Sequence, residues 1–249
     1  PHSGVLLTCQ KRQRIFAAMN YTYEDIAGLI DHSLLQPNLS DAELDEGCRT
    51  AVRYRVASVC IKPYYVAKAV ELLEGSGVAV GTTIGFPHGG HLTSVKMFES
   101  EQALNDGARE LDMVVNIGQV LSDKWAAVTD EIRRIAELAH AHKSIVKVIF
   151  ENCYLKDEHK IRLCTACTEA KADYVKSSTG YGTGGATLDD LRLMRQHTPP
   201  HMGVKAAGGV RDLDMLLTVR AIGVTRIGAS KTVEILEDCN RRIRGRGGE

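Results

Sequence analysis

A (β/α)8 barrel of the TIM type is the fold the sequence predicts, an α/β single domain with a short capping helix near Tyr23 to Gly28 closing its bottom. Three observations predict it. From Tyr21 onward, short β-branched runs alternate with longer amphipathic stretches, and eight of each can be placed. At 249 residues and 44% hydrophobic composition, the chain can build one large core. No Gly-x-Gly-x-x-Gly loop follows the first strand, and no acidic ribose partner follows it, which argues against a doubly wound open sheet.

The first unit pairs a strand over Leu29 to Leu34 with a helix over Asp41 to Tyr54, announced by the cap signal Ser40-Asp41. The second has Ala57 to Ile61 and Pro63 to Glu74. The third has Val78 to Ile84 and Leu92 to Asp106, and the fourth Leu111 to Val115 and Lys124 to His142. Ile145 to Phe150 with Asp157 to Ala170 form the fifth. Tyr174 to Ser177 with Leu188 to His197 form the sixth, whose helix has its start signal in Thr187-Leu-Asp-Asp. Gly203 to Ala206 with Asp212 to Ile222, then Thr225 to Ile227 with Thr232 to Arg242, complete the ring. Residues 1–20 have mixed charge and little periodicity and are expected to be an extension, residues 21–243 the barrel, and residues 244–249 a tail. No Ser/Gly linker or low-complexity tract divides the chain.

Charge and composition exclude several functions. With 31 basic and 31 acidic residues the formal net charge is zero, so no overall field draws the protein to nucleic acid or to an anionic membrane. No apolar run approaches the ~18 residues of a membrane span, and Pro1 to Asn20 lacks a secretory pattern. A cytoplasmic protein is the expectation. Seven scattered cysteines make no disulfide framework. Cys164 and Cys167 have Cys-x-x-Cys spacing but lack the further ligands of a zinc site, and read as helix packing; no metal and no cofactor are expected.

In such a barrel the chemistry sits at the C-terminal ends of the strands. Three lysines interrupt otherwise apolar strands there: Lys147 in Ile-Val-Lys-Val-Ile-Phe-Glu, Lys176 in Tyr-Val-Lys-Ser-Ser-Thr-Gly and Lys205 in Val-Lys-Ala-Ala-Gly-Gly. A single one reads as a lysine pointing outward between helices. Three in one sheet need another reason, because an interior ammonium is expensive to desolvate. Packed together they repel, which lowers the pKa of at least one and yields a neutral amine able to attack a carbonyl. Asp112, in Glu-Leu-Asp-Met-Val-Val-Asn, supplies a carboxylate to pair with Lys205 and pass protons through a water, or serves only as a counter-ion.

Glycine-rich loops follow the late strands: Ser178-Thr-Gly-Tyr-Gly-Thr-Gly-Gly, Ala207-Gly-Gly-Val-Arg and Ile227-Gly-Ala-Ser. Glycine lets backbone approach an anion, and the helices just beyond offer free N–H groups. A phosphate cradle over strands seven and eight is expected, with charge from Arg211 or Lys231.

At these residues the chain resembles the 2-deoxyribose-5-phosphate aldolase family from about Ile30 to Val233. The resemblance rests on Asp31-His-Ser-Leu-Leu, Ser58-Val-Cys-Ile-Lys-Pro, Gly85-Phe-Pro-His-Gly, Glu110-Leu-Asp-Met-Val-Val-Asn-Ile-Gly and the lysine and glycine segments above. It implies reversible cleavage of 2-deoxyribose 5-phosphate to glyceraldehyde 3-phosphate and acetaldehyde, without metal. Lys176 then forms the Schiff base, Lys205 lowers its pKa, and Asp112 joins in proton transfer. Gly180, Gly208, Gly209, Gly228 and Ser230 hold the phosphate, Asp31 contacts a substrate hydroxyl, Lys147 lines the site, and a homodimer is implied.

Two departures stand out. Some members end in a tail whose tyrosine assists proton transfer, whereas this sequence finishes Arg-Gly-Arg-Gly-Gly-Glu249; either Asp112 and water suffice or the tail was truncated. Tyr181 stands where certain members carry lysine, leaving phosphate affinity to backbone N–H groups and Arg211. Cys60, at the end of the second strand, is either a thiol that traps a conjugated enal or an inert core residue. A Schiff-base aldolase for another aldehyde pair, and a catalytically silent sugar-phosphate-binding barrel, are the alternative functions; a silent binder has no need of Lys176, Lys205 and Asp112 together.

Overall fold

The computed structural model describes residues 21–246; the expected extension over residues 1–20 lies outside them, as do residues 247–249. Eight parallel strands close into a barrel in chain order: β1 Ile30–Leu34, β2 Ser58–Ile61, β3 Ala79–Ile84, β4 Glu110–Val114, β5 Ile145–Ile149, β6 Tyr174–Lys176, β7 Gly203–Ala207 and β8 Arg226–Ala229. Ile30 opposite Ile227 closes the ring. The helices are α1 Tyr23–Ala27, α2 Asp41–Tyr54, α3 Val66–Leu72, α4 Thr93–Asn105, α5 Ile117–Leu121, α6 Trp125–Ala141, α7 Asp157–Glu169, α8 Leu188–Gln196, α9 Leu213–Ile222 and α10 Thr232–Arg246.

Local chemistry sets the ends. Ser40 caps α2 through a capping box with Glu43, and Thr187 caps α8 by accepting from the Asp190 N–H. The short α1 carries its own box between Thr22 and Asp25 and is tied to the end of α2 by Tyr23 Oη donating to the Tyr54 carbonyl. The second predicted helix divides into a 3-10 turn, Pro63–Tyr65, and α3. α10 runs past the predicted Arg242, so residues 244–246 are helical rather than tail; Arg242 is held there by Asp214 and Asp238.

Period-two alternation builds two different layers from the same strands. Val59, Leu111, Met113, Val146, Val148, Val175, Val204 and Ile227 are fully buried and pack outward under the helices. Each such side chain contributes about 1.5–3 kcal/mol. Their neighbours Asp31, Cys60, Asp112, Lys147 and Lys205 point inward and are equally buried, so the barrel's interior is polar and charged where its shell is apolar.

Candidate active site

Inward positions of six strands meet on the barrel axis as one ion-pair network. Asp112, at the middle of β4, accepts from Lys147 Nζ at 2.9 Å, Lys176 Nζ at 2.7 Å and Lys205 Nζ at 2.6 Å. The register explains the meeting: Asp112 lies opposite Lys147, and Lys176 opposite Lys205. Below them, Asp31 Oδ2 is 2.5 Å from Lys205 and 3.3 Å from Lys147, and Glu110 Oε2 is 2.5 Å from Lys147. Arg226 pairs with Asp31 and, at 2.7 Å, with Glu110.

Four cations thus face three carboxylates, so one proton is in excess of a neutral interior, and an unbalanced buried charge is costly. Lys147 touches three carboxylates, Lys205 two and Lys176 only one. The electrostatics follow that order. Burial works against the Lys147 and Lys205 ammoniums, yet Asp112 and Asp31 outweigh it and raise both above the ordinary lysine value. For Lys176, burial wins: Asp112 opposes it, Lys205 adds to it, and the ammonium falls below its ordinary value. Burial also works against the Asp112 carboxylate, but Lys147, Lys176 and Lys205 hold it well below the usual range. Of the three lysines expected to repel one another, Lys176 is the one pushed toward the neutral amine.

Above the network a cavity of about 350 Å³ opens at the C-terminal ends of β6, β7 and β8. Lys176, Lys205 and Cys60 form its base, and Gly180, Gly208, Gly209, Arg211, Gly228 and Ser230 line its wall. Gly180, Gly208 and Gly209 have φ of 88°, 76° and 107°, a backbone that side chains rarely adopt. The β6 and β7 loops touch closely enough that a Cβ on Gly185 would lie 2.3 Å from the Gly208 carbonyl oxygen, and the Ala186 N–H donates to that oxygen at 2.7 Å. Tyr181 bridges the mouth: its hydroxyl donates to the Leu35 carbonyl at 2.7 Å, and its ring meets Phe86 edge-on at 5.4 Å.

Most of the expected site residues therefore border one space. Asp31, Asp112 and Lys147 do not; all three are buried in the ionic layer beneath it, Asp112 directly under Lys176 and Lys205. Lys231 is exposed and paired with Glu234 rather than facing the cavity. Cys60 faces it, with Sγ 3.9 Å from Asp112, and burial, then Asp112, push its thiol up to about 11. Cys164 and Cys167 are buried in α7 as packing residues. Among the described residues no group of three or more His, Cys, Asp or Glu is arranged to hold a metal ion.

Sequence reasoning missed three contributors. Glu110 and Arg226 complete the charge network. Glu151, buried and left-handed at φ 58°, anchors the β6 loop by accepting from the Thr179 N–H at 3.1 Å and from the Thr179 hydroxyl. An acidic residue ending the apolar run Val146-Lys-Val-Ile-Phe was the available signal for it.

Comparison with known proteins supplies relatives across nearly the whole barrel. The model described as DeoC/LacD family aldolase matches residues 26–233. A curated deoxyribose-phosphate aldolase from Rhodopirellula baltica is 59% identical over 224 residues, 90% of this chain and 93% of that protein. One from Thermococcus gammatolerans is 46% identical over 86% of this chain and 96% of its own length. Among solved structures, the tetrameric deoxyribose phosphate aldolase of Aeropyrum pernix superposes with a TM-score of 0.84 at 33% identity, covering 92% of this chain and 96% of that one.

Proposed function

The chain belongs to the DeoC/LacD family of aldolases, and from that premise we propose that it reversibly cleaves 2-deoxy-D-ribose 5-phosphate to D-glyceraldehyde 3-phosphate and acetaldehyde through a Schiff base on Lys176. The single observation that carries the residue assignment is the sharing of Asp112 by three interior lysines, of which Lys176 has no second carboxylate and borders the cavity.

In the cleavage direction, the neutral Lys176 amine adds to the C1 aldehyde of the open-chain sugar, and loss of water leaves an iminium. Removal of the proton from the C3 hydroxyl makes that oxygen a carbonyl as the C2–C3 bond breaks, and the bond's electron pair moves into the iminium to give an enamine. Glyceraldehyde 3-phosphate departs. Protonation of the enamine carbon and hydrolysis then release acetaldehyde and return the lysine. Asp112, between Lys176 and Lys205, is the hub through which these protons pass with a water. Lys205 keeps the amine neutral by its own charge. The phosphate is held by the N–H groups of the loops carrying Gly180, Gly208, Gly209 and Ser230, in front of α10, with Arg211 adding charge. Lys147 and Asp31 act from below; Asp31 orients Lys205 rather than touching the sugar.

Among the described residues no helix is long and apolar enough to cross a membrane. A cytoplasmic homodimer is part of the same proposal.

The test is incubation with 2-deoxyribose 5-phosphate, reading acetaldehyde and glyceraldehyde 3-phosphate separately. Equimolar release is the expected result. A borohydride-trapped lysine without cleavage of this sugar would assign another aldehyde pair, and neither cleavage nor adduct would leave a silent binder.

A further inference from the structure

The floor of the barrel carries two charged residues that border no part of the cavity: Glu110 opens β4 and Arg226 opens β8. The Arg226 side chain is 14% exposed; its guanidinium lies over the Tyr174 ring at 6.0 Å and pairs with Asp31 Oδ1 and Glu110. From there the ion pairs are continuous. Asp31 reaches Lys205 at 2.5 Å, Lys205 reaches Asp112 at 2.6 Å, and Asp112 reaches Lys176 at 2.7 Å.

The groups that face this chain are contributed by every strand. β1 brings Asp31, β4 Glu110 and Asp112, β5 Lys147, β6 Lys176, β7 Lys205 and β8 Arg226; β2 adds only the Cys60 thiol, and β3 brings Gly81 and Thr83 without a charge. A guanidinium does not give up its proton, so any surplus of positive charge must be shed by a lysine. Which lysine sheds it depends on the carboxylates left to each. Arg226 occupies one oxygen of Asp31 and bonds both oxygens of Glu110, which leaves the three lysines short by one charge.

We propose that Arg226 and Glu110 are positioning residues that set, from the barrel floor, how many protons the interior lysines carry, and so make Lys176 the neutral amine. The inference rests on the reading of Lys176 as the Schiff-base nucleophile. Removing Arg226's charge leaves three lysines facing three carboxylates, and Lys176 can keep its proton. Removing Glu110's charge leaves four cations facing two carboxylates, and Lys176 loses its proton more readily. The two changes act in opposite directions although neither residue reaches the substrate.

The experiment is the pH dependence, from 5 to 10, of trapping of the acetaldehyde imine by cyanoborohydride on Lys176, read by intact mass as a ratio to the parent at each pH. Arg226→Met is expected to move the acidic limb up by about one pH unit or more, a roughly tenfold slower trapping below it. Glu110→Gln is expected to move it down. The double variant is expected near the parent, and Arg226→Lys, which keeps the charge, in place. A purely structural role would lower trapping at all pH values without moving the limb. Limbs unmoved in both single variants, or moved in the same direction, would overturn the inference. Should Arg226→Met not fold, Glu110→Gln decides alone, because a limb that stays or rises overturns it. A parent with no adduct on Lys176 would contradict the nucleophile assignment instead.

Discussion

Replacing Asp112 by Asn removes one charge on which three lysines converge. The carboxylate is fully buried and accepts three charge-assisted bonds of 2.6 to 2.9 Å. Removing one partner of a buried ion pair costs about 3–5 kcal/mol. Lys205 retains Asp31, and Lys147 retains Asp31 and Glu110, so the lower end of that range applies, about 3 kcal/mol. At roughly 2–4 °C per kcal/mol for a chain of this size, the melting temperature at pH 7 falls by about 6–12 °C. The sign with pH is fixed by the direction of the shift. The folded-state carboxyl lies below its unfolded value, so its stabilisation is complete above about pH 4 and is lost as pH falls toward the folded value. The gap between parent and Asp112→Asn is therefore constant near neutrality and narrows in acid. Thermal unfolding by circular dichroism at pH 7 and pH 3 reads both effects. Exchange of the acetaldehyde methyl protons in D2O reads the chemistry and is expected to slow by about 10²-fold or more. A variant that melts within about 2 °C of the parent at pH 7, with exchange intact, would show that Asp112 neither holds the lysines nor carries protons.

The remaining expectations concern the wall, the shell and the thiol. Gly185→Ala places a Cβ 2.3 Å from the Gly208 oxygen, so the β6 and β7 loops must part by about 1 Å. KM for the phosphorylated sugar is expected to rise roughly tenfold to a hundredfold while trapping of acetaldehyde is unchanged; an unchanged KM would remove these loops from phosphate binding. His32, with Nδ1 2.7 Å from the Thr232 hydroxyl, is held by burial at about 4 and is neutral when folded. The unfolded chain takes the proton first, so stability falls by about 1.4 kcal/mol per pH unit from about 6.5 down to about 4. Urea denaturation of His32→Asn should show a shallower acid slope than the parent, and equal slopes would contradict the assignment. Cys60→Met is expected to outlast the parent in concentrated acetaldehyde, with parental inactivation quickening as pH rises toward the thiol value of about 11; equal half-lives would make Cys60 an inert wall.

The barrel is legible because each strand alternates and each helix follows at a regular interval. Boundaries move where side chains replace the ladder. Ser177 was expected in β6, but its hydroxyl takes both the N–H and the carbonyl of Ala207, and the strand ends at Lys176. The short α5 was hidden because Asn116, which caps it by accepting from the Gln119 N–H, follows directly on the β4 run. Lys176, Lys205 and Asp112 are legible because a charge inside an apolar strand contradicts its surroundings. Glu110 and Arg226 are not, since each opens a strand, where a charge ordinarily faces water; only closure of the ring turns both inward. Asp31 has a similar history. The family resemblance implied contact with a substrate hydroxyl, but Asp31 is fully buried and taken up by Lys147, Lys205 and Arg226 rather than bordering the cavity.

The most direct measurement is intact mass after incubation with acetaldehyde and borohydride, for the parent and for Lys176→Arg, followed by peptide mapping. A single two-carbon adduct is expected on the peptide carrying Lys176, present in the parent and absent from the variant. No adduct in a folded parent, or an adduct on Lys147 or Lys205 that survives in Lys176→Arg, would contradict the Lys176 assignment.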